Sequence, residues 1–298
     1  MAVYTTYDSV GAKEDVSAII TNLSPDKTPF QSAIGTEKIH AKNPQWQEDS
    51  LRAVAVNAKI DGADAVDVTI TPTVMRTNYT QIIAEAVKIA DGLEAIDRHG
   101  RAKEAAYQMD KTSKQLKRDL EHALVGTKQT AVVGSNGVAR QMAGFQAQVA
   151  TGNIVSTGGV STPLSVANVK AAQALCYAAG SDPSVLMVTT TDADTVAGFN
   201  IASGRTRDVM NGSKDKVFMD RVDLIVGPLG ELAVIPNRFL AATDSLVFDP
   251  DMAKLLTLRN WQRETLAKTG DATTFYVKGE FSLKHKNQSA SSIIRRQV

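Results

Sequence analysis

Any catalysis by this chain would fall to four histidines, one cysteine and a few clustered acids. The histidines are His40, His99, His122 and His285, and none lies within five residues of another. No short metal-ligand pair can be read from that spacing. No Gly-Lys dipeptide occurs, which removes the Walker A phosphate loop, and GxGxxG, GxSxG and HExxH are also missing. Asp61, Asp64 and Asp67 are close in sequence but lack the ligand spacing and closing Glu of a calcium loop, so they read as a turn and a solvated face. Gly158-Gly159 has no strand-to-helix phosphate motif around it and reads as a flexible interdomain loop rather than an anion nest. Cys176 sits in the apolar helical stretch Ala171–Ala179, with no neighbouring His or cluster of Lys and Arg to activate it, and reads as a buried thiol. His122 lies on a helix dense in Lys and Glu and reads as a surface histidine. The motif search predicts no cofactor and no metal.

Composition sets wide bounds. The chain has 298 residues, 43% hydrophobic and 22% charged, which is ordinary for a folded protein and large enough for about two domains. Lys and Arg number 33 and Asp and Glu 32, so a net charge of +1 does not point to a general nucleic-acid binder. A single cysteine rules out an intrachain disulfide and a multi-cysteine zinc site. No run of about 18 apolar residues is present, and Met1 to Asp8 lack the layout of a secretory signal. The expectation is a soluble protein of a reducing compartment, with no membrane partner.

The elements that would position any site are more telling. Val16, Ile19, Ile20 and Leu23 repeat with helical spacing, Ser24-Pro25 stops the pattern, and Thr28-Pro29-Phe30 gives an extended turn. Residues 1–44 therefore read as an arm whose short helix must dock, either on its own body or on a neighbour. From 51 to 75, Val54, Val56, Ala58 and Ile60 alternate with smaller or polar residues. The alternation resumes at Val66, Val68 and Ile70 after a bend at Asp61-Gly62. Period two on both limbs predicts a β-hairpin. No aromatic occurs between Leu51 and Asn78, and an isolated ribbon is marginal, so this hairpin packs on its own domain or lies across another subunit. Residues 43–73 hold five acids against two bases, a net of −3, which would draw the ribbon to a basic partner surface.

Ala102, Ala105, Ala106, Met109, Leu116, Leu120, Ala123 and Leu124 predict one long amphipathic helix over 101–125. Its stripe is expected to bury against a later sheet. Its other face carries Lys111, Lys114, Lys117, Arg118 and Glu121 among others, with Asp110–Lys114 and Lys117–Glu121 as expected i,i+4 pairs. After glycine-rich loops, the segment 163–235 alternates: helix 165–179, strand 185–189, helix 191–202, a polar loop 205–220, then strands 224–226 and 232–235. That is a compact mixed α/β unit. Strand patterns return at 246–248, 252–258, 261–267 and 274–284, where Gly279 suggests a bulge. The tail from Lys284 carries Lys284, Lys286, Arg295 and Arg296 and no acid.

In this order, the parts resemble the Hong Kong 97-like major capsid proteins of tailed bacteriophages. Gly11–Ile20 with Ser24–Phe30 looks like the arm of one subgroup, and Trp46–Leu51 with Gly62-Ala63-Asp64 like the base and tip of its extended hairpin. Asn78–Gln81 and Leu116–Glu121 look like the return strand and spine helix, and Phe248–Asp251 with Trp261-Gln262 like the closing sheet. The resemblance implies an α+β fold: an N-terminal arm (1–44), an extended hairpin loop (45–90), a peripheral domain with its spine helix (91–150), an inserted axial domain (151–244) and the closing sheet of the peripheral domain (245–298).

It further implies a structural, non-enzymatic protein that assembles into hexamers and pentamers. These would tile an icosahedral head around double-stranded DNA, in a virion built in the cytoplasm of a bacterial host. Its partners would be itself, a portal protein at one vertex, scaffolding and decoration proteins, and packaged DNA held by non-specific contacts. An N-terminus close to the arm would mean either processing or a separate scaffold. The hairpin residues Val54, Val56, Ile60, Asp61, Gly62, Val66, Val68 and Ile70 would lie on an adjacent subunit. Lys111, Lys114 and Arg118 on the spine helix would face the genome, although a solvated mixed-charge face explains them equally. Some relatives crosslink through Lys and Asn, but Lys59 and Asn57 read as ordinary surface residues. The alternatives are a cellular nanocompartment shell enclosing cargo enzymes, which shares this fold, and a soluble α/β enzyme whose site forms only in three dimensions.

Overall fold

The computed structural model describes residues 27–62, 64, 65, 67, 70–96, 103–159, 161–199, 224–268 and 270–296. The expected helix around Val16–Leu23, the loop 205–220, and Val66 and Val68 lie outside them.

Two sheets share one core. The first is four-stranded, in the order β1 (Gly35–Lys38), β10 (Ala253–Thr265), β11 (Ala272–His285), β4 (Gln81–Ala90). The sequence divides β10 in two, yet it runs unbroken as a strand, with register shifts against β11 between Thr257 and Arg259 and between Arg259 and Gln262. The irregularity expected at Gly279 therefore falls in β10, while β11 keeps unbroken register with β4 from Gln81↔Phe281 to Ala90↔Ala272. Gly279 is there for another reason. A Cβ on it would stand 2.4 Å from the Phe281 ring and 2.8 Å from Trp261, two aromatics whose centroids are 4.8 Å apart. The glycine leaves room for that ring pair.

The second sheet is six-stranded: β5 (Ile154–Ser156), β12 (Ser292–Arg295), β9 (Asp244–Phe248), β6 (Val185–Val188), β8 (Gly230–Pro236), β7 (Leu224–Gly227). β9 and β12 thus join the mixed α/β segment rather than β10 and β11, against the expectation for 246–248. Every residue of β9 is buried, which suits its place between two neighbours. α5 (Val166–Ala178) begins at Ser165, whose hydroxyl accepts from Asn168 N. α6 (Thr190–Ala197) is capped in the same way by Thr189 and has Gly198 at its C-cap, while the expected end of that helix at 202 lies outside the described residues.

α3 (Glu104–Val125) is the long helix, 22 residues and about 33 Å at 1.5 Å per residue. It packs against β4 and β11 with Met109, Leu116, Leu120 and Leu124 buried. Ala105 is half-buried and Ala106 exposed, so the stripe is narrower at its N-terminal end than the sequence predicts. The centre of the core is a ring of three phenylalanines: Phe30 of α1 (Pro29–Ala33), Phe145 of α4 (Phe145–Gln148) and Phe248 of β9, with centroids 5.3–5.5 Å apart. Each comes from a different part of the chain, so the root of the N-terminal segment is locked to both sheets. A smaller core under α5 holds Val169, Ala172, Cys176, Leu186 and Val247.

Candidate assembly surface

The segment between β2 (Gln45–Glu48) and β3 (Val74–Thr77) departs from the body. Its base is a short antiparallel ladder, held by an Arg76 to Glu48 ion pair at 2.6 Å. Beyond the base, none of the described residues of 51–73 belongs to a strand. The cross-strand ladder expected between Val54–Ile60 and Val66–Ile70 is absent among the described residues, and only the bend at Asp61-Gly62, with Gly62 at φ 77°, matches the expectation. The physical reason is that a two-stranded ribbon of Val, Ala and Ile without aromatics has no face to bury. Leu51, Val54, Val56, Ile60 and Ile70 are 83–102% exposed. Asp61, Asp64 and Asp67 are exposed as well, and no group of metal-ligating residues forms among the described residues. A run of bare apolar side chains this long is a surface waiting for a partner.

The charged face of α3 divides into two. Lys111 is exposed, and Lys114 is exposed and paired with Asp110 at 3.0 Å. Arg118 differs from both, since its guanidinium carbon lies 5.7 Å from the Phe239 ring centre and its Nε is buried with no hydrogen-bond partner. It is therefore not part of an open basic face. The expected Lys117–Glu121 surface pair is also overturned. Glu121 is fully buried and accepts from Phe30 N at 2.7 Å, Gln31 N and Gln31 Nε2 at 3.1 Å each, and Asn237 Nδ2 at 2.7 Å. It caps the N-terminus of α1 from another element, which periodicity on α3 alone could not reveal. Burial pushes its carboxyl above the ordinary value against the pull of those donors.

Sequence reasoning missed three further buried carboxylates. Asp244 takes Lys128 at 2.8 Å and Arg295 at 2.9 Å. Glu280 takes Arg140 at 2.5 Å, Arg259 at 2.8 Å and the Thr80 hydroxyl at 2.6 Å. Asp192 takes Arg296 and, at 2.7 Å, the Ser245 hydroxyl. The tail is accordingly no free basic strip: Arg295 and Arg296 are spent on these acids, and Lys284 pairs with Glu37 at 3.4 Å. Such clamps join segments distant in sequence and have no local signature. Cys176 is buried beside the Ser292 hydroxyl at 3.1 Å, and burial pushes its thiol up, as expected of an unreactive cysteine. His122 is exposed. His285 is buried edge-on to Phe145, with Nε2 at 2.9 Å from the Ser291 hydroxyl, and burial pulls it down to about 4.

No cluster among the described residues unites a nucleophile, a base and a pocket. What the surface offers is a bare apolar limb on a well-clamped body. Comparison with known proteins gives a consistent answer. The family model of the SU10 major capsid protein matches residues 3–296. The major capsid protein of Escherichia phage Phieco32 is 30% identical across 343 aligned positions, covering 98% of this chain and 96% of that one. Among solved structures, the capsid of a native GTA particle superposes with a TM-score of 0.71 at 13% identity, over all of both chains. The holo-SrpI encapsulin complex of Synechococcus elongatus PCC 7942 superposes at 0.65 with 10% identity, over 99% of this chain and 96% of that one. At those identities the two structures speak for the fold, which is the Hong Kong 97-like one.

Proposed function

The chain belongs to the SU10 major capsid protein family, and we propose that it closes its shell by laying the limb 51–73 of each copy on an adjacent copy. The observation that carries this reading is the exposure of Leu51, Val54, Val56, Ile60 and Ile70, each at least 83% bare in the isolated chain. Covering such side chains is favourable by about 25 cal/mol per Å², and closed symmetry repeats the gain at every subunit. Hexamers and pentamers arranged around double-stranded DNA are the assembly proposed, with a portal at one vertex, scaffolding and decoration proteins as accessory partners, and assembly in the bacterial cytoplasm. The division into arm, hairpin loop, peripheral and axial parts is proposed with it, with β4 moved to the peripheral sheet and β9 and β12 to the axial one, as is an intersubunit role for Val54, Val56, Ile60, Asp61, Gly62, Val66, Val68 and Ile70.

DNA is held, on this reading, by many weak phosphate contacts and without base readout. Lys111 and Lys114 are the candidates on the open face of α3, and Arg118 is not among them because its guanidinium lies against Phe239. Deleting Arg52–Thr73 tests the assembly reading. The variant should remain a soluble body that forms no closed particles in electron micrographs, and normal particles would refute it. A phage relative 30% identical over nearly the whole chain favours a genome container over a cargo compartment, for which only a fold-level likeness speaks.

A further inference from the structure

We propose that Asn136 is a site of spontaneous self-modification: its side-chain amide closes onto the Gly137 nitrogen, loses ammonia and leaves a carboxylate on an exposed hairpin tip. Asn136 and Gly137 form the turn of a small hairpin over 131–141. Ser135 N donates to Val138 O at 3.0 Å and Val138 N to Ser135 O at 3.1 Å, so only these two residues lie in the loop. Gly137 takes φ 97°, and a Cβ on it would meet nothing within 4 Å. Residues 135–139 are all exposed. The root of the hairpin is fixed. Val132 and Gln141 exchange main-chain bonds at 2.9 and 3.1 Å, and Arg140 pairs with Glu280 at 2.5 Å. The tip therefore projects from a firm base with its main chain open to solvent.

Asparagine is a thermolabile residue, and a following glycine offers no side chain to hinder the approach of its nitrogen. The Gly137 nitrogen attacks Asn136 Cγ and a C–N bond forms. The side-chain nitrogen leaves as ammonia, taking the proton that the main-chain nitrogen gives up. Water then opens the cyclic imide. Opening at the former side-chain carbonyl gives aspartate, and opening at the main-chain carbonyl gives isoaspartate. Both reacting groups are unencumbered: neither Gly137 N nor the Asn136 amide takes part in a hydrogen bond among the described residues. Other asparagines are held or blocked. Asn78 Nδ2 donates to Leu283 O at 2.6 Å, Asn153 Nδ2 to Ser289 O at 2.7 Å, and Asn237 Nδ2 to Glu121 at 2.7 Å. Asn43 precedes a proline, whose nitrogen has no proton to give, and the exposed Asn57 precedes Ala58. The same dipeptide recurs at Asn211-Gly212, outside the described residues. Isoaspartate adds a carbon to the main chain inside the turn, which breaks the Ser135–Val138 exchange. Either product adds a negative charge close to Val133 and Val138, which are 62% and 55% exposed. In a closed shell of many copies the charge accumulates copy by copy.

The test is peptide mass spectrometry on the full chain, aged for weeks at mildly alkaline pH, folded in one sample and in denaturant in the other. The peptide carrying Asn136 should gain about 1 Da as the amide becomes a carboxylate. Its rate in the folded chain should lie within about tenfold of the denatured rate and exceed that of Asn57 by about tenfold or more. Fragmentation of the aged folded chain should find isoaspartate as well as aspartate at 136. Native gels should show aged protein moving toward the anode, and Asn136→Gln should remove the part of that shift owed to this site. A folded rate further below the denatured one would overturn the proposal, since the turn would then hold the pair apart. Equal rates at Asn136 and Asn57 would overturn it too. So would aspartate without isoaspartate, because only the cyclic imide leads to both.

Discussion

The limb 54–60 and strand β11 carry the same alternating pattern and meet opposite fates. In β11, Val277 and Phe281 are buried between β10 and β4, and Leu283 is buried beside β10. In the limb, Val54, Val56 and Ile60 stand in the open. The difference lies in side-chain size and in neighbours. β11 brings two phenylalanines, finds a strand on each side and has α3 across its face. The limb brings only Val, Ala and Ile, with no third strand. Alternation therefore marks a face that must be covered, and does not say by which chain. On the proposed reading both versions serve a shell: one sheet makes each subunit stable alone, and one strip is left uncovered so that subunits need each other.

Variants can break this contrast, and the body should feel the largest effects. Leu120→Asp puts an unpaired carboxylate at a position 1% exposed, costing several kcal/mol. Insoluble or proteolysed protein is expected, and an ordinary melting curve would show that α3 buries another face.

Acid comes next. His285 is held neutral, displaced from 6.5 to about 4, so its contribution is present above pH 6.5 and is lost as pH falls toward 4, levelling off below. The loss amounts to about 3 kcal/mol. Glu121 works in the opposite sense, since its raised carboxyl favours the fold as pH falls. The test is accordingly a comparison of denaturant midpoints between wild type and His285→Asn across pH 7 to 4. Parallel curves would remove the histidine from the account.

Gly279→Ala is the third. The added carbon meets the Phe281 and Trp261 rings, and overpacking of this kind costs about 2 kcal/mol. An unchanged melting temperature would mean that the rings move aside freely. The smallest effect on the subunit belongs to the limb. Val54→Ser with Val56→Ser should leave subunit melting within about 0.5 kcal/mol, while particle yield falls sharply. A destabilised subunit would mean that the limb packs on its own body.

The order of long helix, α/β segment and later strands was legible because each has a period or a punctuation of its own. α3 could be read from its stripe, and α5 and α6 as helical stretches, although Thr189, read as the end of a strand, is the cap of α6. What could not be read depends on contacts across the chain. Glu121 looks like any surface acid of α3 until α1 presents its free N–H groups. Arg295 and Arg296 look like a basic tail until Asp244 and Asp192 claim them. The absence of a ladder among the described residues of the limb was equally hidden, because pattern alone cannot report which strands lie alongside.

The central claim is that the limb is bare in the subunit and covered in the shell. The measurement that tests it most directly is the reaction of Val56→Cys with a maleimide, before and after assembly. Cys176, the only native cysteine, is buried with its thiol pushed up, and stays silent. In free subunits the introduced thiol should label at the rate of an unhindered cysteine. In particles the rate should fall by about a hundredfold or more, the signature of a site that opens only by local dissociation. Equal labelling rates in both states would contradict the account.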